Sequence, residues 1–293
     1  MSEMVDLLFR ENYWNSLELK REFMSFLVQI FGLDLSPWDR SGFWDHRYRP
    51  FSYFSDNSLV SNVCVYSMDM TIRGEKCRVA QISAVGTRPE YRRRGLSLKL
   101  TQVAMEWARD NHDFFFLFSD EVAFKFYEEC GFRQTDEYKP RISVAGQVAR
   151  PGAVKLDMQK TDHVEQVYRL ASNREPVSNV LGVSNDKLFM FWCLYSLRDH
   201  IRYISALDIL VLYKREGGLM TIFDIVGTTM PTFAELYLYI CDPTDETVEF
   251  LFMADKLNLG DFNHVRVEGN GTHIQGNFPL EGTRFLFPST SHA

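Results

Sequence analysis

The 293-residue chain sets 32 Lys and Arg against 39 Asp and Glu, a net charge of −7, with 45% hydrophobic residues. That acidity excludes a chain-wide field for nucleic acid or an anionic membrane. The apolar content suffices for one large core or two ordinary ones. No apolar run reaches the ~18 residues of a membrane helix, and the acidic start "MSEMVDLLFRENYW" does not read as a secretory signal. Cys64, Cys77, Cys130, Cys193 and Cys241 are widely spaced and odd in number, which suits free buried thiols in a reducing compartment. A cytoplasmic protein is expected. Without a C-x-x-C pair or a close His/Cys cluster, no metal site is expected.

In chain order, residues 16–31 show helical spacing of Leu17, Leu19, Phe23, Phe26, Leu27 and Ile30. "SLVSNVCVYSMDM" (58–70) and "EKCRVAQISAVGT" (75–87) read as strands joined by a turn near Gly74. Beyond Gly95, Leu96, Leu100, Val103, Ala104 and Trp107 fall on one helical face. "DFFFLF" (113–118) fits a strand buried on both faces, and "EVAFKFYEEC" a short helix stopped by Gly131. Pro, Gly and small residues from Pro140 to Gly152 place a boundary near residue 150, dividing a domain 1–145 from a domain 150–293. The second half offers helices at 162–172 and 185–198, then two strands within 208–227 turning at Gly217-Gly218. A helix "PTFAELYLYI" and a strand at 247–253 follow, and "RFLFPSTSHA" reads as one more strand. Hairpin, loop, helix and buried strand thus repeat in outline, but the second loop is "TTMPT", with neither arginine nor glycine.

The first loop, in "VGTRPEYRRRGLSLKL" (85–100), gathers four arginines around one glycine. A strand that enters such a loop and opens a helix exposes backbone N–H groups at the helix's positive end. Phosphate oxygens bind there, and arginines add charge-assisted hydrogen bonds. The plainer reading is a solvated basic loop at a helix start.

A second segment, some 30 residues later, decides between them. The turn Pro89-Glu90-Tyr91 followed by Arg92-Arg93-Arg94-Gly95-Leu96-Ser97, with Asp120, Ala123, Phe126, Tyr127, Gly131 and Phe132 downstream, resembles the two motifs of the GNAT superfamily of acyl-CoA-dependent N-acyltransferases. The resemblance covers about residues 50–138. It implies a mixed α/β (α+β) fold, the GNAT acyltransferase fold with a central mixed sheet, and the repeat implies a degenerate second GNAT-like domain after it. It also implies that Val85, Gly86 and Thr87 hold the acyl carbonyl and pantetheine arm. Arg92, Arg93, Arg94, Gly95, Leu96, Ser97 and Leu98 would receive the diphosphate. Asp120 and Phe126 belong to the second coenzyme motif, and Tyr127 would be the catalytic acid near the thioester sulfur. Two positions depart from the pattern: Ser97 replaces a glycine or alanine but is small, and Asp120 replaces an asparagine and loses its amide donor.

The general base is missing, since the expected strand positions hold Gln81 and Ser83. Glu90 and Asp69 are placed poorly for the role. The stretch 36–54, rich in aromatics with Asp39, Asp45 and His46, corresponds to the region that walls the acceptor site in the superfamily, where aromatics and acids would suit a cationic amine. Its alternative is a surface helix and turn with ordinary packing aromatics. The triple-arginine loop also resembles enhanced-intracellular-survival type aminoglycoside acetyltransferases, whose terminal carboxylate serves as base. This chain is shorter than those, so that role is not carried to Ala293. The expected activity is N-acetyl transfer from acetyl-CoA, the co-substrate, to an amine of a small molecule or peptide. A non-catalytic acyl-CoA-binding regulatory module is the alternative. Expected partners are acetyl-CoA and the amine, with a homodimer left open and neither nucleic acid nor membrane.

Overall fold

The computed structural model describes residues 7–293; the first six residues of the acidic start read above lie outside the described residues. Strand β1 (Leu7–Glu11) precedes helices α1 (Leu17–Phe31) and α2 (Ser36–Arg40) and strands β2 (Tyr48–Ser55), β3 (Ser58–Ile72) and β4 (Glu75–Thr87). Helix α3 (Leu96–Arg109), β5 (Phe114–Phe118), α4 (Phe124–Glu129), β6 (Arg133–Gln134) and β7 (Tyr138–Ser143) follow. Then come β8 (Ala153–Lys155), α5 (Thr161–Ser172), β9 (Leu181–Val183), α6 (Asp186–Leu194), β10 (Ile201–Ile204) and β11 (Ile209–Glu216). The chain finishes with β12 (Leu219–Val226), α7 (Phe233–Ile240), β13 (Thr247–Phe250), β14 (Asn263–Arg266) and β15 (Thr272–Gly276). None of these helices is long and apolar enough to cross a membrane.

Local chemistry sets the boundaries. Helix α1 starts where the Ser16 hydroxyl accepts the Leu19 N–H, and it stops at Gly32, whose left-handed backbone returns its N–H to the last turn. Strand β5 is buried on both faces, as its continuous apolar run implies: Phe114 and Phe116 enter one core cluster, Phe115 and Leu117 another. Two expectations need correction. The segment 284–293 forms no strand, because its Phe285 and Phe287 are drawn into the core and its end is a 3-10 turn. The helix at 121–130 is a 3-10 turn, Glu121–Ala123, followed by the short α4. The stretch 36–54 opens on the short helix α2 and a turn, its Trp38, Phe43, Trp44 and Tyr48 are buried as packing aromatics, and β2 occupies its second part.

Two mixed sheets share a central core. The first runs β1-β2-β3-β4-β5-β15-β6, with β9 against β3; the second runs β14-β7-β13-β12-β11-β10-β8. The repeat read from the sequence is present. In the first sheet the β3–β4 hairpin leads through α3 to β5, parallel to β4; in the second the β11–β12 hairpin leads through α7 to β13, parallel to β12. The sheets do not divide at residue 150, however. Strand β7 pairs with β13 and β14 in the second sheet, while β15 pairs with β5 and β6 in the first. Each half thus lends the other one strand, at the same place in its sheet.

Glu137, in the link between β6 and β7, ties the C-terminal segment to this exchange. It is buried, and its carboxyl accepts the Phe287 N–H at 2.7 Å and meets the Thr272 hydroxyl at 2.6 Å. That hydroxyl lies equally close to the Asn270 side-chain oxygen, 2.6 Å away. One hydroxyl proton cannot serve two acceptors, so a protonated Glu137 satisfies the cluster best. Burial pushes its carboxyl up to about 7 from 4.5. Between those values the folded chain holds a proton that the unfolded chain releases, so stability falls as pH rises through that window. Glu137→Gln lacks this slope. In urea melts its advantage over the natural chain should grow by about 3 kcal/mol from pH 4.5 to pH 7 and then level off. A constant difference across that range would show Glu137 to be ionised in the folded state.

Candidate functional site

Strands β4 and β5 pair only at Ala80–Phe115 and Gln81–Phe116, and the gap beyond them becomes a groove of about 420 Å³. Its walls include Ser83–Val85 from β4, Phe118–Asp120 from the end of β5, and Tyr127 from α4. A β-bulge shapes the first wall. Asn62 lies opposite Gly86 and Cys64 opposite Ser83, so Val63 alone faces Ala84 and Val85. Ala84 takes a φ of +47° and its carbonyl accepts the Asn62 amide at 2.9 Å. The bulge re-aims the backbone at Val85 toward the groove. A Cβ at Gly86 would come within 2.8 Å of the exposed Phe31 ring of α1, so a larger residue there would displace that ring. Thr87 shares hydroxyl hydrogen bonds of 2.7 Å with both Ser61 and Ser97, joining the strand end to the first turn of α3.

The arginines divide into two groups. Arg88 turns back, bound to the Leu59 carbonyl at 2.6 Å and to Glu22 at 3.1 Å, and is structural. Arg92, Arg93 and Arg94 remain exposed. Arg92 caps the Thr87 carbonyl at 3.1 Å, and Arg94 bonds the Glu90 carbonyl at 3.0 Å with its guanidinium over Tyr91. Arg93 and Gly95 both adopt left-handed backbone, φ +61° and +73°, which curls the loop into a concave run of N–H groups. Gly95 is the N-cap of α3. It supplies no side-chain cap, and nothing lies within 4 Å of where its Cβ would be. The N–H groups of Leu96, Ser97 and Leu98 thus open the helix without a side-chain acceptor. The corresponding start of α7 is closed: Thr232 accepts the Glu235 N–H while the Glu235 carboxylate bonds back to Thr232.

Asp120 lines the groove, and Phe126 packs half-buried against the core beneath α3. Tyr127 is 7% exposed, and burial pushes its phenol upward. Among the described residues its hydroxyl has no partner in the protein. The Ser119 hydroxyl, also on the groove, is buried without a partner. An uncapped helix start, a glycine with free space above it and orphaned polar atoms along one groove fit an anionic, amide-bearing coenzyme.

The acceptor region differs from expectation. Asp39 is bound to Lys20 at 2.6 Å, and Asp45 to Arg47 at 2.6 Å and to the Tyr66 hydroxyl at 2.5 Å. Burial opposes the Asp45 charge, but these bonds outweigh it and hold its carboxyl below the usual range. Neither acid is free for a cationic amine, and His46 is exposed on another cavity with Arg47 and Arg78. Sequence reasoning missed His292 and set Ala293 aside. Both line the groove. The His292 ring stacks on Phe118 with centroids 3.6 Å apart, its carbonyl accepts the Trp192 indole N–H at 3.1 Å, and the Ala293 N–H donates to Gln81 at 3.0 Å. Desolvation pushes the imidazole down to about 4, so it is neutral at pH 7. No periodicity or motif marks these residues, which arrive through the exchanged strand.

Residues 21–135 match the family described as acetyltransferase (GNAT) domain. Of the solved structures, a conserved protein of unknown function from Enterococcus faecalis V583 aligns with TM-score 0.61 at 14% identity, over 92% of this chain and 72% of that one. A GCN5-related N-acetyltransferase from Kribbella flavida gives 0.53 at 16% over the same shares. Eis1 from Mycobacterium abscessus gives 0.54 at 15%, over 84% of this chain and 65% of that one. No curated protein matches. The fold is that of the GNAT acetyltransferases, and the second sheet fits a second GNAT-like domain.

Gly95→Val places a branched side chain in left-handed backbone over the N–H groups, so acetyl-CoA should bind at least tenfold more weakly, ~1.4 kcal/mol, in a variant whose circular dichroism is unchanged. An unaltered dissociation constant would make the loop a charged surface turn. Because the start of α7 is already capped, calorimetry should give one acetyl-CoA per chain; two equivalent sites would contradict this.

Proposed function

We propose that the chain transfers an acetyl group from acetyl-CoA directly to a primary amine of a small molecule or peptide. The observation that carries this reading is that β4, which lines the groove with Tyr127 as far as Val85, runs on to Thr87, whose hydroxyl is hydrogen-bonded to Ser97 in the uncapped first turn of α3. In this scheme acetyl-CoA supplies an activated thioester. The N–H groups of Arg93 to Leu98 hold its diphosphate, and the Arg92–Arg94 guanidiniums add charge. Backbone groups of Val85 to Thr87 orient the arm, and a fixed N–H at the bulge stabilises charge growing on the carbonyl oxygen.

Tyr127 gives its proton to the departing sulfur. Burial keeps the phenol protonated at neutral pH, so it donates a hydrogen bond to the sulfur as the C–S bond breaks, and the proton follows as the thiol leaves. His292 stands neutral in the groove, and because desolvation disfavours its protonated form, the proton of the attacking nitrogen leaves to water rather than to this imidazole.

Release of free thiol from acetyl-CoA, measured across a panel of amines, tests the reaction. Tyr127→Phe tests the proton donor. The ring still packs, so acetyl-CoA affinity should hold, while kcat and kcat/KM fall together by at least about thirtyfold, within the range of general-acid effects. Turnover near the natural rate with unchanged affinity would reduce Tyr127 to a packing residue.

A further inference from the structure

The first sheet carries a second cavity, of about 550 Å³, that shares no lining residue with the groove. Strand register places it. Ser67 of β3 lies opposite Ala80 of β4, Arg78 lies opposite Asp69, and Arg49 of β2 lies opposite Val65. Opposed residues, and alternate residues along one strand, project to the same face. Arg49, Ser67 and Arg78 therefore stand together on the face that packs α3. Trp107 of α3 walls them on one side, its ring 4.6 Å from the Arg49 guanidinium, and Lys187 of α6 lines another part. Arg78 precedes the groove residue Ser83 by five residues, roughly 16 Å along the strand.

The cavity inverts the charge of the chain. Arg47, Arg49, Arg78 and Lys187 line it against one carboxylate, Asp45, in a protein of net charge −7. Asp45 is spent on Arg47, which also meets Asp186 at 3.2 Å. The other three cations are less fully matched. Arg49 reaches the exposed Glu11 at 3.2 Å, while its Nε is buried without an acceptor. Lys187 donates to a neutral group, the Trp44 carbonyl, at 3.3 Å. Among the described residues the exposed Arg78 guanidinium has no partner. Asp113 takes its backbone N–H at 2.8 Å instead, and Asp69, opposite it, forms no ion pair. A concave surface lined by one sign of charge focuses its field and concentrates the opposite charge. Guanidiniums match the paired oxygens of carboxylate or phosphate, and the exposed Asn12 and Asn15 add amide donors at the rim.

We propose that this cavity binds a compact polyanion, a small molecule with clustered carboxylate or phosphate groups, on Arg49, Arg78 and Lys187. A small molecule fits better than a polymer, because the cations converge on one concavity while the chain as a whole is acidic. The site lies apart from the groove and does not depend on the transfer reading.

The test titrates the full chain with inorganic pyrophosphate and with citrate at about 0.15 M salt, where weak surface attraction is screened. Calorimetry and the fluorescence of Trp14 and Trp107, which both line the cavity, report binding. At least one anion should bind with a Kd below about 1 mM; citrate alone assigns carboxylate chemistry, pyrophosphate alone phosphate chemistry, and both the shared one. Arg78→Ala and Lys187→Met should each weaken binding at least about fivefold, with circular dichroism and acetyl-CoA affinity unchanged. Gly95→Val, which alters only the arginine loop, should leave it as it was. Binding by neither anion overturns the proposal. So does binding that survives Arg78→Ala and Lys187→Met, and loss in Gly95→Val alone would place the anion on the arginine loop. Binding of heparin without either small anion would mark a surface for a polymer and overturn it as well.

Discussion

The reciprocal exchange of β7 and β15 is the constraint on which the rest of the molecule depends. Without β15, strand β5 would present an unpaired edge to water and β6 would lose its partner. Without β7, the same would befall β13 and β14. The exchange also carries the C-terminal segment back across the first sheet. There Phe287 stacks on Phe116 with centroids 4.6 Å apart, and Thr290 bonds the buried Asp224, which is paired with the almost fully buried Arg174. The groove's far wall is then built from residues about 170 positions beyond its near wall. Folding and site formation are one event in this design, because neither half completes its own sheet.

The two halves share an architecture and differ at one helix start. At α3 the chain offers a glycine in left-handed backbone, free space and no side-chain acceptor; at α7 it offers a capping box that satisfies the same kind of N–H group internally. The difference lies in a handful of residues, which leave the start of α3 without a side-chain cap and close that of α7. The second copy keeps a structural role, because its β12 provides Asp224, which fixes the tail that lines the first copy's groove.

Much of this was legible in the sequence where local chemistry dominates. The amphipathic run of α1 between Ser16 and Gly32, the β3–β4 hairpin around Gly74, the buried β5 and the arginine loop all follow from periodicity, caps and turn residues. What escaped was set by long-range pairing. Strand β15 is five residues of mixed character, and nothing in "THIQG" tells which sheet it will join. The same holds for "RFLFPSTSHA", whose alternating aromatics suggested a strand but serve as core plugs. Asp39 and Asp45 looked like acceptor ligands because their partners Lys20 and Arg47 could be assigned only in three dimensions. His292 is a lone histidine in the sequence and a groove residue in the fold.

A crystal structure of the full chain grown with acetyl-CoA tests the central claim most directly. The diphosphate should lie on the N–H groups of Arg93 to Leu98, with the thioester carbonyl at the Val85 bulge and its sulfur within hydrogen-bond reach of the Tyr127 hydroxyl. A coenzyme bound instead near α7, or held by the arginine side chains with its thioester outside the groove, would contradict it.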